Sequence, residues 1–498
     1  AAVTTAATFL TDRNIFVFPE RTDDRYALAM TDYIICKGIA FVVLLALFYG
    51  LFCLIFKKGP LAAELKGMLI YAAVYIPVAA AVLAVKLPEG FLTNDEYAIS
   101  TNAVNLIHDT WFNYLTIYYY IVSYMLIPAA YGPIIMKVII ELAVIGYCLY
   151  RTTRCYGRRC GLIMYVLFLL YPVIAYTTSA HRLPVYFLIY LALFVKLLFD
   201  RLEKREIKTF GAIVLMTAGA VLTQWRTEGI YLFAFIPILM FIVYPNLRKK
   251  RTVAAVILGY VLIQYVISIP QNGTGPGGVS DAANDRMKPF YAYTITNMYR
   301  NGLDTKANEA DLAIVDAYIS TEAIEAINEY YEDINYEDVL ILIKEEFGGV
   351  RADAGYTQYY DFTGAVKRII INNPGVFLRT RWGAFRYAAL PYHMTFSGTG
   401  LRELASFALS VVKSLSYNLF IPTAIIACGC IYCLVRRRWY TFFTAAGLAA
   451  HFAIVFILAP ASYFKYYFPV YIMAYFYVVL LLVWLFADKN KNIGTPVI

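Results

Sequence analysis

The sequence contains few charged residues for its length. Only 15% of its 498 residues are Asp, Glu, Lys or Arg, and it has four histidines. Soluble globular proteins have about a quarter of their residues charged. Apolar side chains make up 61% of the chain. This composition excludes an ordinary soluble domain and predicts a chain that crosses a membrane many times.

Several signatures of cofactor sites are also missing. The spacing of Cys155 and Cys160, and of Cys428, Cys430 and Cys433, is not that of a tetrahedral metal site, so small apolar residues fit better. No cysteine falls within 271–400, so no disulfide framework is predicted there. The glycine-rich stretch 273–278 lacks the Lys and the helix start of a phosphate-binding loop. We expect no metal ligands among these residues.

Positive charge occurs in short clusters between apolar runs. The net charge of +9 alone would allow a nucleic-acid partner. However, the Lys and Arg residues flank apolar segments, which is typical of signals that orient membrane helices. We therefore expect membrane lipids, and not nucleic acid, around this chain.

Eleven apolar runs are candidates for spanning helices. They are 33–56, 67–86, 133–150, 161–177, 185–199, 209–225, 229–245, 252–270, 415–434, 440–459 and 468–487. One threading of these runs puts every basic cluster on the same side: 57–66, 151–159, 201–208, 248–251, 436–438 and 489–491. By the positive-inside rule that side is the cytoplasm, with the amino terminus outside. The fold class predicted is an all-α polytopic protein with about 11 transmembrane helices, in a bacterial plasma membrane.

The same threading predicts four regions. Residues 1–32 form an exported amino-terminal segment, and because they lack an initiator Met we expect a longer or processed native chain. Residues 33–270 form a transmembrane bundle, with an exported loop at 87–132. The aromatic run 111–120 in that loop favours an interfacial helix, because a span there would invert all later clusters. Residues 271–400 form an exported soluble insert, and 401–498 form the last spans and a cytoplasmic tail.

The exported insert is rich in Asp and Glu and shows helical periodicity. Ile324, Ile327 and Tyr331 have helical spacing. Pro374 should end a helix over 363–372. We expect a small, mainly helical domain.

An acidic pair follows the second span. Asp95 and Glu96 are adjacent, and the repulsion between two carboxylates near a membrane surface would raise one pKa and suit it to general-base catalysis. The alternative is structural: Thr93 or Asn94 caps a helix, and the acids occupy its first turn. The residues alone do not decide between these two.

Three hairpins present cations on the predicted exported side. They carry His181 with Arg182, Arg226 with Glu228, and Lys465. Such cations would suit the phosphate of a lipid-linked substrate. Each could instead be a snorkelling side chain, and Arg226 could simply pair with Glu228. Within the spans, Glu141 and His451 look isolated.

Three segments resemble the GT-C superfamily of membrane glycosyltransferases, and most closely its protein-mannosyltransferase and aminoarabinose-transferase branch. They are 92–97 (LTNDEY), 224–231 (QWRTEGIY) and 463–471 (YFKYYFPVY). Relatives commonly have Pro where this chain has Thr227, and Arg where it has Lys465, and the insert at 271–400 interrupts the usual order of spans.

The resemblance implies a GT-C-like fold and transfer of a sugar from a polyprenyl-phosphate donor, with inversion, outside the cytoplasm. The acceptor would be a glycan, a protein or a lipid of the cell envelope, for example in polysaccharide synthesis. Asp95 would be the general base, and Glu96 would orient the acceptor or, in some relatives, a divalent cation. The implied phosphate ligands are Arg226 and Lys465, with His181 and Arg182 as weaker candidates, supported by Glu228, Tyr97 and Tyr466.

Other functions remain open at this point. A transporter or flippase of lipid-linked saccharides would show internal repeats and polar residues near the bilayer midplane, and we find no repeat. A polysaccharide polymerase or ligase would share the basic residues but need no Asp-Glu loop. A structural or receptor role is the remaining alternative.

Overall fold

The computed structural model describes residues 1–57, 59–86, 94–107, 112–177, 183–272, 278–331, 339, 342, 349–351, 355–392, 394, 398, 400–459 and 461–487. These residues form helices and connections, and the β-pairing described among them is a single isolated bridge between Ile319 and Val350. The chain divides into two compact units. The first comprises 1–276, 422–449 and 468–498, and the second comprises 277–421 and 450–467.

The helices are numbered in chain order. The first thirteen are α1 Ala2–Ile15, α2 Tyr26–Phe56, α3 Pro60–Lys86, α4 Asn94–Val104, α5 Tyr114–Leu126, α6 Gly132–Tyr156, α7 Arg158–Ile163, α8 Tyr165–Phe168, α9 Tyr171–Thr177, α10 Leu183–Leu202, α11 Thr209–Trp225, α12 Leu232–Val243 and α13 Lys250–Asn272. The others are α14 Gly278–Arg300, α15 Glu309–Asp316, α16 Thr321–Tyr330, α17 Tyr356–Asn372, α18 Pro374–Ala389, α19 Leu401–Ser416, α20 Phe420–Val435, α21 Trp439–Leu458 and α22 Phe468–Leu485. Short 3-10 turns lie at Thr227–Tyr231, Pro245–Arg248 and Phe464–Tyr467.

Eight helical segments of the described chain are long and apolar enough to cross a bilayer. They are α2, α3, α6, α10, α13, the segment Leu401–Val435 that contains α19 and α20, α21, and Phe464–Leu485 that contains α22. Each coincides with one of the predicted apolar runs. The protein is therefore an all-helical, polytopic membrane protein, as the sequence predicted.

The other three predicted runs do not form helices of spanning length. Runs 209–225 and 229–245 fall on shorter apolar helices. Run 161–177 is divided among α7, α8 and α9. Pro172 explains the break between α8 and α9. Its backbone nitrogen carries no hydrogen, and its ring clashes with the carbonyl four residues earlier. That carbonyl, of Phe168, instead accepts a hydrogen bond from the Tyr75 hydroxyl at 2.7 Å.

The start of α20 also differs from the predicted run 415–434. The Asn418 side chain accepts hydrogen bonds from the amides of Phe420 and Ile421, at 2.8 and 3.2 Å. An amide side chain in this position caps a helix amino terminus. The cap therefore sets Phe420 as the first residue of α20 and separates it from α19.

The helices of the first unit differ in burial. In α10, 83% of the apolar window is buried inside the protein, whereas in α2 it is 11% and in α3 17%. The exposed side chains of α2 include Leu45, Phe48 and Phe52. An apolar surface of this extent suits lipid and not water. In the first unit, α10 thus belongs to the core, and α2 and α3 lie at the lipid-facing rim.

One helix of the rim fits closely against its neighbour. A Cβ added at Gly146 of α6 would lie 2.4 Å from the main-chain oxygen of Met68 in α3. Small residues of this kind let membrane helices approach closely. The contact between α3 and α6 is therefore set by shape as well as by apolar surface.

Four of the loops with basic clusters meet at one end of the first unit. Arg151 of α6 pairs with Asp200 of α10 at 3.0 Å, and both are buried. Tyr244, just after α12, donates to the same carboxylate at 2.7 Å. Arg154 pairs with Glu64 of α3 at 2.7 Å. We call this the basic end. The start of α6 lies at the opposite end, and α4 is placed there by the interaction of Glu96 with Lys137. α11 starts just after the basic cluster 201–208, so its end at Trp225 also lies at the opposite end.

The second unit has its own hydrophobic core. Buried side chains come from the helices that precede residue 390: Ile295, Met298, Val315, Ile324, Phe362, Val366 and Ile369. Ile324 lies on α16, which the spacing predicted. The predicted stop at Pro374 is confirmed, since α17 ends at Asn372 and Pro374 is the first residue of α18. The insert is thus mainly helical, as expected.

Candidate functional site

The acidic pair lies in the first turn of α4. Carboxylates in a first helical turn are stabilised by the helix dipole. The part of the structural interpretation that places the acids in a first turn is therefore confirmed, whereas Thr93 lies outside the described residues. The two side chains nevertheless differ. Glu96 is 2% exposed, whereas Asp95 is only partly buried. Tyr97, the residue after Glu96, is 64% exposed. Of the pair, Asp95 is the carboxylate that solvent or a substrate reaches.

Glu96 is part of a buried group of charges. The carboxylates of Glu141 and Glu96 both interact electrostatically with Lys137. All three side chains are at most 2% exposed. Glu141, which looked isolated in the sequence, therefore has a charged neighbour. Lys137 was missed, although its spacing of four residues from Glu141 in an apolar helix was a usable signal.

The loop that carries the acids is bound to the end of α11. Asn113 caps α5 by accepting from the Leu115 amide at 2.9 Å. Its side-chain nitrogen also donates to the carbonyl of Gln224 at 2.8 Å. The ring of Tyr119 lies 6.2 Å from that of Trp225. The acid-bearing loop is thus joined to the two residues that precede Arg226.

Arg226 begins a tight junction between α11 and α12. Its Nε pairs with a carboxylate oxygen of Glu228 at 2.5 Å, and both side chains are largely buried. The sequence alternative in which these two residues pair is therefore confirmed. Gly229 is required here, because a Cβ at this position would lie 2.4 Å from the Leu222 carbonyl oxygen. The pairing fixes the plane of the guanidinium group.

Three tyrosines lie beside this junction. The hydroxyl of Tyr186 would be 3.1 Å from a Cβ at Gly229, so it lies against the turn. Tyr231 donates to the hydroxyl of Tyr190 at 2.9 Å. Tyr186 and Tyr190 are at most 1% exposed. Nothing in the sequence distinguished Tyr186 and Tyr190 from other aromatic residues of apolar helices, which is why they were not predicted. Tyr231 ends the segment 224–231 but was given no role.

Lys465 and Tyr466 belong to the second unit, in the 3-10 turn that precedes α22. The Lys465 ammonium lies 4.6 Å from the centre of the Tyr463 ring, a cation–π contact. The carbonyl of Tyr466 is 2.9 Å from Nε2 of His451. His451, like Glu141, is thus not isolated. The predicted site residues His181 and Arg182 lie outside the described residues.

The described residues contain no group of three or more His, Cys, Asp or Glu side chains that could hold a metal ion. All eight cysteines are free thiols, and most are buried. The chemical groups gathered at the end opposite the basic end are a partly exposed carboxylate, a buried charged group and an oriented guanidinium. Comparison with protein families, with curated proteins and with solved structures finds no match to this chain.

Proposed function

We propose that this protein is an integral membrane glycosyltransferase that moves a sugar from a polyprenyl-phosphate donor to an acceptor outside the cytoplasm. The observation that carries the proposal is the link between two sequence motifs. Asn113 and Tyr119 attach the Asp95 loop to the residues directly before Arg226. A base and a phosphate ligand have to lie near each other for sugar transfer, and this attachment favours that arrangement.

In this proposal Asp95 accepts the proton of an acceptor hydroxyl. The hydroxyl oxygen forms a bond to the anomeric carbon while the bond from that carbon to the donor phosphate oxygen breaks. Polyprenyl phosphate leaves with the electron pair, and the configuration of the sugar inverts. General-base catalysis of this kind contributes about 10²–10⁴ in rate. The partial exposure of Asp95 suits a group that must meet an acceptor.

Arg226 would stabilise the negative charge that develops on the leaving phosphate. A guanidinium group has five N–H donors in a plane, and Glu228 pairs with the one at Nε. A preorganised cation of this kind acts without reorganising during the reaction. Glu228 would thus support the site by holding Arg226.

Lys465 would be a second phosphate ligand. His181 and Arg182 are weaker candidates for the same role. Tyr97 and Tyr466 would have supporting roles. A divalent cation beside Glu96 does not fit, because Glu96 is buried near Lys137 and the described residues around it form no group that could hold a metal ion. The donor tail would lie in the bilayer, which accounts for an enzyme with so many apolar helices.

The proposal is tested with purified protein in nanodiscs. A panel of undecaprenyl-phosphate-linked, isotope-labelled sugars serves as donor, and a cell-envelope extract supplies the acceptor. We expect Asp95→Asn to lower transfer by about 10²–10⁴-fold, because it removes the base, while donor binding is unchanged. Asp24→Asn, the same change at an exposed carboxylate, is the matched control. Transfer at the wild-type rate by Asp95→Asn would refute the assignment.

One observation favours a second function, a transporter or flippase of lipid-linked saccharides. The buried Lys137 and Glu141 lie in a helix of spanning length, and buried ionisable residues in such helices often mark transport pathways. A flippase would move the labelled lipid across proteoliposomes without forming a glycosidic product. Translocation without a product would therefore favour the transporter, and a labelled product would favour the transferase. A polysaccharide polymerase or ligase would also form a product, but it would not depend on Asp95.

A further inference from the structure

The connection between α21 and α22 carries Lys465. We call residues 459–467 the lysine segment; the structure describes all of it except residue 460. An ammonium on a flexible connection would reach many positions, and a phosphate ligand has to be held in one. The groups that fix this segment are therefore relevant to any role of Lys465.

Arg381 of α18 binds the start of the lysine segment. Its Nε donates to the carbonyl of Phe456 at 2.6 Å, and its Nη2 donates to the carbonyl of Ala459 at 2.9 Å. The last carbonyls of a helix have no partner within the helix, and they form the negative end of its dipole. Arg381 thus binds one carbonyl in the last turn of α21, that of Phe456, and the carbonyl of Ala459 directly after the helix, with a single planar side chain.

Burial makes this contact strong. Arg381 is 1% exposed, and the rings of Phe290 and Tyr293 lie 5.9 and 6.0 Å from its guanidinium carbon. Burial lowers the pKa of Arg381 from its usual value, but an arginine remains protonated in proteins. A buried cation needs compensation, and here the carbonyls of Phe456 and Ala459 and the faces of two rings provide it. The charge is therefore used to hold the backbone.

Other contacts fix the segment further along. The Tyr293 hydroxyl is 3.1 Å from the Ser462 hydroxyl. The ring of Tyr467 packs edge-on against Phe385, with centroids 5.4 Å apart. The carbonyl of Tyr466 contacts His451. Contacts therefore hold the segment on both sides of Lys465.

We propose that Arg381 is a positioning residue for Lys465: by binding the carbonyls of Phe456 and Ala459 it sets the backbone from which the ammonium reaches a phosphate. This inference rests on the proposed function for the ligand that Lys465 binds. The holding of the segment itself does not depend on that function. A lysine at position 381 could reach only one carbonyl at a time, so Arg381→Lys should restore part of the effect.

The first measurement does not require activity. Hydrogen–deuterium exchange of peptides covering 459–467 is compared among wild type, Arg381→Met, Arg381→Lys and Arg386→Met. The last variant is the matched control, because Arg386 is exposed on the same helix. We expect exchange in these peptides to become about tenfold faster in Arg381→Met, to be intermediate in Arg381→Lys, and to be unchanged in Arg386→Met. Unchanged exchange in a folded Arg381→Met protein would overturn the proposal.

The second measurement is the affinity of the same proteins, in nanodiscs, for undecaprenyl phosphate. Arg381→Met and Lys465→Met should each weaken binding by about tenfold, the effect of one charge-assisted hydrogen bond. The double variant should be little weaker than either single variant, because both remove the same contact. Additive losses would refute the link to Lys465. Faster exchange with no loss of affinity in either variant would leave the holding role intact and refute the phosphate role proposed for Lys465.

Discussion

The buried ion pair at the basic end allows a quantitative test of the fold. Asp200 is 2% exposed and accepts from Arg151 at 3.0 Å, Lys196 at 2.6 Å and Tyr244 at 2.7 Å. Asp200→Ala leaves the buried Arg151 with only the contact to Glu203 at 3.2 Å among its acidic partners in the described chain. Breaking one side of a buried pair costs about 3–5 kcal/mol. Because Glu203 remains, we expect about 3 kcal/mol.

The expected loss is measured as thermal unfolding in detergent. Most of the cysteines are buried, so a thiol-reactive fluorophore reports unfolding without any added label site. At a fixed heating rate we expect the Tm of Asp200→Ala to fall by about 5 °C or more. The control is Asp23→Ala, which removes an exposed pair with Arg25 and should leave the Tm close to that of wild type.

A double-mutant cycle separates the pair from its surroundings. Arg151→Met alone should destabilise by a similar amount, because it leaves Asp200 short of a donor. The double variant Arg151→Met/Asp200→Ala should lose about 1–3 kcal/mol less than the sum. Two results would refute the reasoning that these loops meet in a buried network. One is a stability loss in the double variant equal to the sum of the two single losses. The other is a fall in Tm for Asp200→Ala no larger than that for Asp23→Ala.

Two further predictions concern the junction and the second unit. Gly229→Ala should disrupt the turn after Arg226, because the added methyl group would lie 2.4 Å from the Leu222 carbonyl oxygen. The variant should express at a near-normal level but lose binding of undecaprenyl phosphate, measured in nanodiscs. Hydrogen bonds from the Thr321 amide, and then from its hydroxyl and from Arg351, hold the pKa of Asp316 below its usual value. The native state therefore gains stability from Asp316 above about pH 4 and loses it as the pH falls through the lowered pKa. Wild type should accordingly be more stable than Asp316→Ala at about pH 6 and should lose that advantage towards about pH 3. The measurement is unfolding as a function of pH, monitored by hydrogen–deuterium exchange of residues 316–321. A stability difference between the two proteins that does not change with pH would contradict this prediction.

The membrane helices follow from hydropathy, whereas their ends do not. A helix that crosses a bilayer requires about 20 apolar residues, so the hydropathy along the sequence is enough to locate the eight helices of spanning length. The ends depend on individual hydrogen bonds. Asn418 starts α20 through its cap, and Pro172 and the Tyr75 hydroxyl end α8 at Phe168. The Tyr75 contact joins residues far apart in sequence, whereas the Asn418 cap and Pro172 each act through a single side chain. A hydropathy average over a window registers neither kind of effect.

The candidate site was predictable only where charge stands out against an apolar background. Asp95, Glu96, Arg226 and Lys465 were identified for that reason. That Glu96 is buried near Lys137 depends on how α4 packs beside α6, which no local pattern reveals. The positioning contact of Arg381 was also missed, because an arginine in a polar insert looks like a surface residue.

The close approach at Gly146 has a consequence for how this sequence can change over time. Lipid tails surround α3 with the same apolar environment that a protein neighbour would offer, so Val, Leu, Ile and Phe should replace one another freely along its outer face. Residue 146 has no such freedom, because a single methyl group would meet the backbone of the neighbouring helix. Among descendants of this chain, we expect the outward surface of α3 to drift while Gly146 stays fixed.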